Sequence, residues 1–383
     1  MYSKLRNNIS LIITVVILAN IFLLVNCGSK KKLKENIVVA YIFGNNKDIQ
    51  LEKIEANKIT HINYAFAKIR EGVIKKGFKT DGKNLRKLNS LKKENPDLKI
   101  LISVGGWAWS NNFSDMALTK KSREKFAESA VKFIKKYNID GIDIDWEYPG
   151  LKGKDNVHRP EDKRNFTLLM KELREQLDEL EKKTGKHYLN TFAAGALKRY
   201  VEHTEMEKVM EYADYVNLMT YDFFVQGADS VTGHHTCLKT NPKSSKKLSA
   251  NYAVNLFNKA GVPKSQMVLG AAFYGRAWKC RSSQNKGLFQ PGQAANIETS
   301  YRSIKEKWEN KNGFKRYWDS VAEAPYLWND STQIFITYDD DKSVRKKCKY
   351  ILDNDLKGIM FWEYHGDYKH ELLNIMDKRL LDN

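Results

Sequence analysis

From residue 36 onward the chain alternates between two spacings of apolar residues. In one, short runs carry apolar residues side by side or two apart, which is the spacing of strands. "NIVVAYIF", "ITHINYAFAKI", "LKILISVGGW" and "IDGIDIDWEYP" are four such runs. "YLNTFAAGAL", "ADYVNLMTYDFF", "QMVLGAAFYGRAW" and "LKGIMFWEYHGD" are four more. Longer runs between them place apolar residues three and four apart. Phe126, Ala130, Phe133, Ile134 and Tyr137 share one helical face, and Asn138 can close that helix. Phe166, Leu169, Leu173 and Leu177 share another.

Strands that alternate with helices predict parallel pairing with right-handed crossovers. Eight such repeats in 383 residues predict the α/β class and a closed (β/α)8 TIM barrel, spanning 36–383. Active sites of such barrels lie at the C-terminal ends of the strands. An open doubly wound sheet is the alternative. It usually brings a Gly-rich phosphate turn, and "SVGGW" is not G-x-G-x-x-G. One interval breaks the rhythm. The seventh run ends near Trp278 and the eighth begins near Lys357, too far apart for one crossover helix. "FKRYWDSVAEAPYLWNDSTQIFITYDD" lies between them, with short β-like runs rich in aromatics. A small α+β insertion on the catalytic face is expected there, over 279–345, between strands 7 and 8.

The stretch "DGIDIDWEYPG" puts four carboxylates among residues of a buried strand. Residues two apart in a strand share a face. Asp143, Asp145 and Glu147 therefore point one way, and Ile142, Ile144 and Trp146 the other. In a barrel the first set points inward and climbs to the open rim, with Glu147 at the mouth. Like carboxylates packed together cannot all ionise, so at least one keeps its proton. A protonated carboxyl at the rim suits a general acid acting on a glycosidic oxygen. The competing reading is a charged outer face of an edge strand, but parallel barrel strands have no water-facing side.

Composition narrows the partners. The apolar fraction of 42% and aromatic fraction of 11% suit a folded globular chain. The formal net charge of +19 could serve nucleic acid, anionic lipid or an acidic wall polymer. The lysines are scattered through helical segments, and no nucleic-acid module is visible, so no nucleic acid is expected. Cys237, Cys280 and Cys348 cannot all pair among themselves, and their spacing fits no zinc site. They read as small apolar fillers or lone thiols, and neither a metal nor a cofactor is expected.

The first 35 residues read differently. Lys4 and Arg6 precede an apolar run from Ile9 to Val25, broken by Asn20, and "LLVNCGSKKKLKEN" follows. This reads as an export signal over 1–26. The run is short for a bilayer span, which needs about 20 residues. "LVNC" resembles a bacterial lipobox, with Asn26 where Gly, Ala or Ser is usual. Cys27 is expected to carry lipid, with 27–35 as a basic tether. Simple secretion and an uncleaved anchor are the alternatives. The chain is expected in the cell envelope or outside it, as a monomer.

"DGIDIDWEYP" resembles the D-x-x-D-x-D-x-E motif of the glycoside hydrolase family 18 chitinases. "SVGGW", "NLMTYD", "FYGRAW" and "GIMFWEY" resemble that family's third, sixth, seventh and eighth strand motifs. The likeness spans 36–378, and the interval after strand seven resembles the insertion of the chitinase branch. The resemblance implies hydrolysis of β-1,4-linked N-acetylglucosamine polymers or oligomers (chitin) with retention. It also implies substrate assistance, in which the substrate's own acetamido carbonyl attacks the anomeric carbon.

Roles follow from the same resemblance. Glu147 protonates the leaving oxygen and then activates water. Asp145 holds the acetamido N–H, Asp143 shares a proton with Asp145, and Tyr221 donates to the acetamido oxygen. Asp222 and Met219 line the subsite, and Trp362 forms its floor. Tyr274 and Arg276 contact sugar. Tyr41, Phe66 and Ser103 match positions near Asp143; Tyr41, Phe66 and Trp107, the last closing the third-strand motif, are expected to bind substrate, while Ser103 gives structural support and Asp140 supports the turn into the strand. Met219, Phe66 and Trp107 fit core packing equally well. After "MTYD" the chain reads "FFVQGADSVTGHHTCL", without the Trp usual on the leaving-group side. His234 and His235 there read as solvent-facing loop residues. A chitin-binding lectin would lack Glu147. An endo-β-N-acetylglucosaminidase acting on N-glycans or peptidoglycan would usually lack Trp146 and the insertion. A basic adhesin would leave the acid strand unexplained.

Overall fold

The computed structural model describes residues 36–382. The expected export signal, the tether and Cys27 lie outside the described residues. Eight parallel strands form a closed ring. They are β1 (Ile37–Phe43), β2 (His61–Arg70), β3 (Lys99–Gly105), β4 (Gly141–Asp145), β5 (Leu189–Gly195), β6 (Val216–Met219), β7 (Met267–Ala272) and β8 (Gly358–Trp362). Closure comes where β1 pairs with both β8 and β2, Ile37 opposite Gly358 and Val39 opposite His61.

Helices cover the outside of the ring. The longer ones are α1 (Asp81–Ser90), α2 (Lys120–Tyr137), α3 (Asp162–Thr184), α4 (Ala250–Lys259), α5 (Asp341–Asp353) and α6 (Glu371–Leu380). Helix α2 starts with a reciprocal capping box between Thr119 and Ser122, and it ends at Asn138 in the left-handed conformation. Its buried face holds Phe126, Ala130, Phe133, Ile134 and Tyr137. Ile142, Ile144 and Trp146 pack outward into the same apolar layer. The Trp146 ring stacks on Phe113 at 5.2 Å. Each such side chain stabilises the fold by about 1.5–3 kcal/mol on burial. That anchoring holds the opposite face of β4, with its carboxylates, toward the barrel axis.

A second, five-stranded antiparallel sheet lies between β7 and β8 in sequence. Its spatial order is Gly292–Ala294, Arg276–Cys280, Ile334–Thr337, Ala324–Asn329 and Phe314–Asp319. Trp278, Trp328, Phe335 and Tyr326 form its own apolar cluster. The aromatic stretch after residue 313 therefore supplies three strands. The start differs from the expected residue 279. β7 stops at Ala272, and Arg276–Cys280 already belongs to the second sheet. The run "QMVLGAAFYGRAW" is two strands joined through residues 273–275. A Cβ on Gly275 would sit 2.7 Å from the Thr337 carbonyl oxygen, so only glycine fits. An unbroken apolar run cannot reveal that the chain changes sheets within it.

The barrel and the second sheet are pinned at their junction by a buried ion pair. Lys347, on α5, and Asp339 are both fully buried, and Lys347 Nζ donates to Asp339 Oδ2 at 2.5 Å. The same oxygen accepts from the Ala272 backbone N–H and from Thr236 Oγ1. One carboxylate thus joins the end of β7, the loop after β6, and the chain returning from the second sheet. Removing one partner of such a pair strands a charge in the interior. Lys347→Met is therefore expected to cost about 3–5 kcal/mol in urea unfolding, with part of the loss recovered in Asp339→Asn/Lys347→Met. A single-variant loss below about 1 kcal/mol would show that the junction does not need the pair.

Candidate active site

The C-terminal rim of the ring opens into a cleft of about 790 Å³. Tyr41, Phe66, Trp107, Asp145, Glu147, Met219, Tyr221, Asp222, Tyr274, Arg276 and Trp362 all line it. Strand ends far apart in sequence meet there. Ser103, Asp143 and Thr191 sit side by side on β3, β4 and β5.

Asp143 is the deepest carboxylate and is fully buried. Tyr41 Oη and Ser103 Oγ donate to Oδ2, both at 2.8 Å. Thr191 Oγ1 donates to Oδ1 at 2.7 Å, and Asn217 Nδ2 to the same oxygen at 3.2 Å. Burial nonetheless outweighs these four donors and leaves Asp143 above the usual carboxylate range. Asp145 lies on the same face, one step nearer the rim. Burial, then the Glu147 and Asp143 carboxyls, push it well above that range. Its Oδ1 has no hydrogen-bond partner among the described residues. Glu147 is pushed up to about 7, chiefly by burial; a hydrogen bond with Tyr148 opposes this and Asp222 adds to it. At neutral pH these groups hold at least one proton between them.

The backbone around these acids is held from β3. The Gly106 N–H donates to the Asp145 carbonyl at 2.8 Å, and the Glu147 N–H donates to Ser110 Oγ at 2.9 Å. Gly105 has φ +109°, and a Cβ there would lie 2.2 Å from the Asp145 carbonyl oxygen. Gly105 in "SVGGW" therefore lets β3 close onto the acid strand, and Gly106, φ +75°, leaves room for the Phe66 ring.

Aromatic rings form the apolar part of the cleft. Trp362 stacks on Phe66 at 5.4 Å and meets Tyr41 at 5.9 Å and Phe43 at 6.0 Å. Trp107 is 51% exposed, so it is a surface platform and not a core residue. Phe66 is buried against Trp362, and Met219 is half-buried with a cleft-facing edge. Burial and then Asp145 push the Tyr221 hydroxyl well above its ordinary value, so it stays a donor.

Asp222 adopts the left-handed conformation with φ +56°. Arg276 grips it bidentately, Nε to Oδ1 at 2.8 Å and Nη2 to Oδ2 at 2.7 Å. Burial works against its charge, but the adjoining His235 ring and Arg276 hold it below the usual range. The Arg276 guanidinium also lies over the Tyr274 ring at 5.1 Å.

Asp140 stands apart from the cleft. It accepts from Lys92 and Lys186 at 2.6 Å each and from the Ile100 backbone at 2.7 Å. Burial disfavours its charge, but the two lysines keep it below the usual range. The two loop histidines are not solvent-facing. His234 and His235 are both buried. His234 Nε2 lies 3.2 Å from Asp319 Oδ2, between the Phe289 and Tyr326 rings. The loop folds under the second sheet, and sequence alone had no sign of that cover. Sequence reasoning also missed Thr191 and Asn217, which inward alternation from Ala193 and Met219 would have found. It missed Phe43, Trp109, Tyr148, Leu197, Phe223 and Val225 in the lining.

Among the described residues, no group of three His, Cys, Asp or Glu side chains is placed to hold a metal ion. Cys237, Cys280 and Cys348 are buried free thiols.

Comparison with known proteins agrees with this geometry. The profile of Glycosyl hydrolases family 18 matches residues 37–367. Chitinase A1 of Niallia circulans is 43% identical over 309 residues, which are 76% of this chain and 44% of that protein. The chain thus spans less than half the length of that relative. Chitotriosidase-1 of Mus musculus is 31% identical over 331 residues, 84% of this chain and 70% of that one. Among solved structures, a family 18 N-acetylglucosaminidase from Paenibacillus barengoltzii superposes with a TM-score of 0.83 at 43% identity. That match covers 90% of this chain and 100% of the other. By its barrel, its acid strand and the match over 37–367, the chain belongs to glycosyl hydrolases family 18.

Proposed function

We propose that the chain hydrolyses β-1,4-linked N-acetylglucosamine polymers and oligomers with retention, by substrate-assisted catalysis. The observation that carries this reading is the division of labour on β4. Asp143 is engaged by four donors, Asp145 presents an unpartnered oxygen, and Glu147 at the rim has a pKa near neutrality. With the Asp145 oxygen engaged by the acetamido N–H of the substrate, that arrangement offers one acid and no second free carboxylate to attack the anomeric carbon. The substrate then supplies its own nucleophile, the carbonyl oxygen of its 2-acetamido group.

In the first step that oxygen bonds to the anomeric carbon, the glycosidic C–O bond breaks, and Glu147 gives its proton to the leaving oxygen. Asp145 accepts from the acetamido N–H and balances the oxazolinium charge. Asp143 lies beneath it and shares its proton. Tyr221 donates to the acetamido oxygen. In the second step water attacks the same carbon, the bond from that carbon to the acetamido oxygen breaks and the acetamido carbonyl re-forms, and the Glu147 carboxylate takes the water's proton. Two inversions give net retention. Trp362 presents a ring face to the apolar C–H face of the sugar, with Trp107 as an outer platform. Asp222, Met219, Tyr274 and Arg276 bound the subsite, while Tyr41, Phe66 and Ser103 hold its floor and Asp140 supports the start of β4.

A second reading is release of single N-acetylglucosamine units. It is favoured by the match that takes in all of the Paenibacillus barengoltzii N-acetylglucosaminidase chain. A product profile on chitooligosaccharides, beside N-glycan and peptidoglycan substrates, separates the two. Mixed oligomers support internal cleavage, monomer alone supports the second reading, and cleavage confined to N-glycans or peptidoglycan rejects both. Residues 1–35 complete the proposal: export, lipid on Cys27, a basic tether and a monomeric enzyme in the envelope. Fatty-acid labelling in the bacterial host is expected to mark the wild type and not Cys27→Ser.

Glu147→Gln is expected to fold normally, to keep oligosaccharide binding, and to lose about 10²–10⁴-fold in kcat. Retention of a tenth of the wild-type rate would end the assignment. Proton NMR of fresh hydrolysate is expected to show the β-anomer first. A thiazoline analogue should inhibit, and a β-glucoside without the acetamido group should be inert. An initial α-anomer would refute substrate assistance. Glu147 acts as an acid only while protonated, so kcat/KM should fall as pH rises through about 7. A profile flat across that range would contradict the assignment.

A further inference from the structure

His235 is fully buried on the loop after β6, and no step above uses it. Its surroundings fix its protons. Nε2 lies 3.2 Å from the Tyr274 carbonyl oxygen. A carbonyl only accepts, so Nε2 carries a hydrogen. The other nitrogen, Nδ1, has no hydrogen-bond partner among the described residues. It stands 3.6 Å from Asp222 Oδ1, another acceptor. In the neutral ring, then, two lone pairs face each other in a buried place. A second proton on Nδ1 would turn that opposition into a charge-assisted hydrogen bond.

The backbone keeps these groups together. The Phe223 N–H, next to Asp222, donates to the His235 carbonyl, and the His235 N–H donates to Thr337 Oγ1 in the second sheet. The His235 ring also packs on the Tyr274 ring at 5.1 Å.

We propose that His235 is a positioning residue whose doubly protonated ring latches Asp222, on the wall of the cleft, to the backbone of Tyr274. The charged groups facing it come from its own loop (Asp222), from the second sheet (Arg276) and from the segment that leaves that sheet (Asp339). Asp222 and Asp339 favour the cation, and Arg276 opposes it. Asp339 is itself paired with Lys347, and the Tyr274 hydroxyl stays protonated through burial. Burial pulls His235 below its ordinary value and outweighs Asp222. The latch therefore closes only below the ordinary histidine range and opens as pH rises.

The kinetic half of the test rests on the hydrolase reading, and the spectroscopic half does not. Nitrogen-15 NMR of the imidazoles, with the His235 signal assigned by its loss in His235→Asn, reads tautomer and pKa directly. The neutral form should carry its proton on Nε2, and its pKa should fall further in Asp222→Asn. A proton on Nδ1 in the neutral form, or a pKa indifferent to Asp222→Asn, would overturn the proposal even if the chain hydrolyses nothing. On a cleaved chitooligosaccharide, the ratio of wild-type to His235→Asn kcat/KM should rise about tenfold as pH falls through the His235 pKa read by NMR, as expected for one charge-assisted hydrogen bond. A pH-independent ratio would mean that His235 merely supports the fold.

Discussion

The burial of three carboxyl groups on one strand face governs this molecule. Asp143, Asp145 and Glu147 point into a closed barrel, where desolvation penalises charge. That penalty is tolerated only because the barrel surrounds the lowest group with donors. Tyr41, Ser103, Thr191 and Asn217 come from four different strands to satisfy Asp143 alone. Asp145 keeps an unpartnered oxygen and Glu147 has one opposing hydrogen bond, with Tyr148, so burial holds both carboxyls above the usual range at the cleft. A site of proton transfer thus arises from an uneven supply of hydrogen bonds along one strand.

Close packing carries that arrangement into the backbone. β3 must approach the Asp145 carbonyl so nearly that only Gly105 fits. Ser110 then reaches the Glu147 N–H from the loop after β3. On the other side of β4, Ile142, Ile144 and Trp146 are locked under the helices. A one-residue slip of β4 would drive carboxylates into that apolar layer, so its register is fixed from both faces. The cost of misplacing charge thereby becomes positional accuracy at the rim.

The second sheet extends the same logic sideways. Its first strand brings Arg276 onto Asp222, and its last brings Thr337 onto the His235 backbone. Its exit leads to Asp339, whose pairing with Lys347 fastens the loop after β6. The wall of the cleft is therefore built by a substructure outside the barrel. A barrel closed without it would leave Asp222 without its arginine and His235 without the Thr337 contact that holds its backbone.

Alternation by itself determined which way β4 faces, because a strand has only two faces and one of them was apolar. The strand–helix rhythm determined the parallel barrel, and position along the strand put Glu147 at the mouth. Those are local consequences of a fixed two-residue period. What the tertiary structure decided were matters of approach between distant segments. It decided that the chain passes from one strand into another sheet through Gly275, since the reason is a Thr337 carbonyl sixty-two residues away. It decided that His234 and His235 are covered, since the cover is the second sheet. It also decided that four donors converge on Asp143 while Asp145 keeps an unpartnered oxygen, because that balance depends on which strands become neighbours in the closed ring.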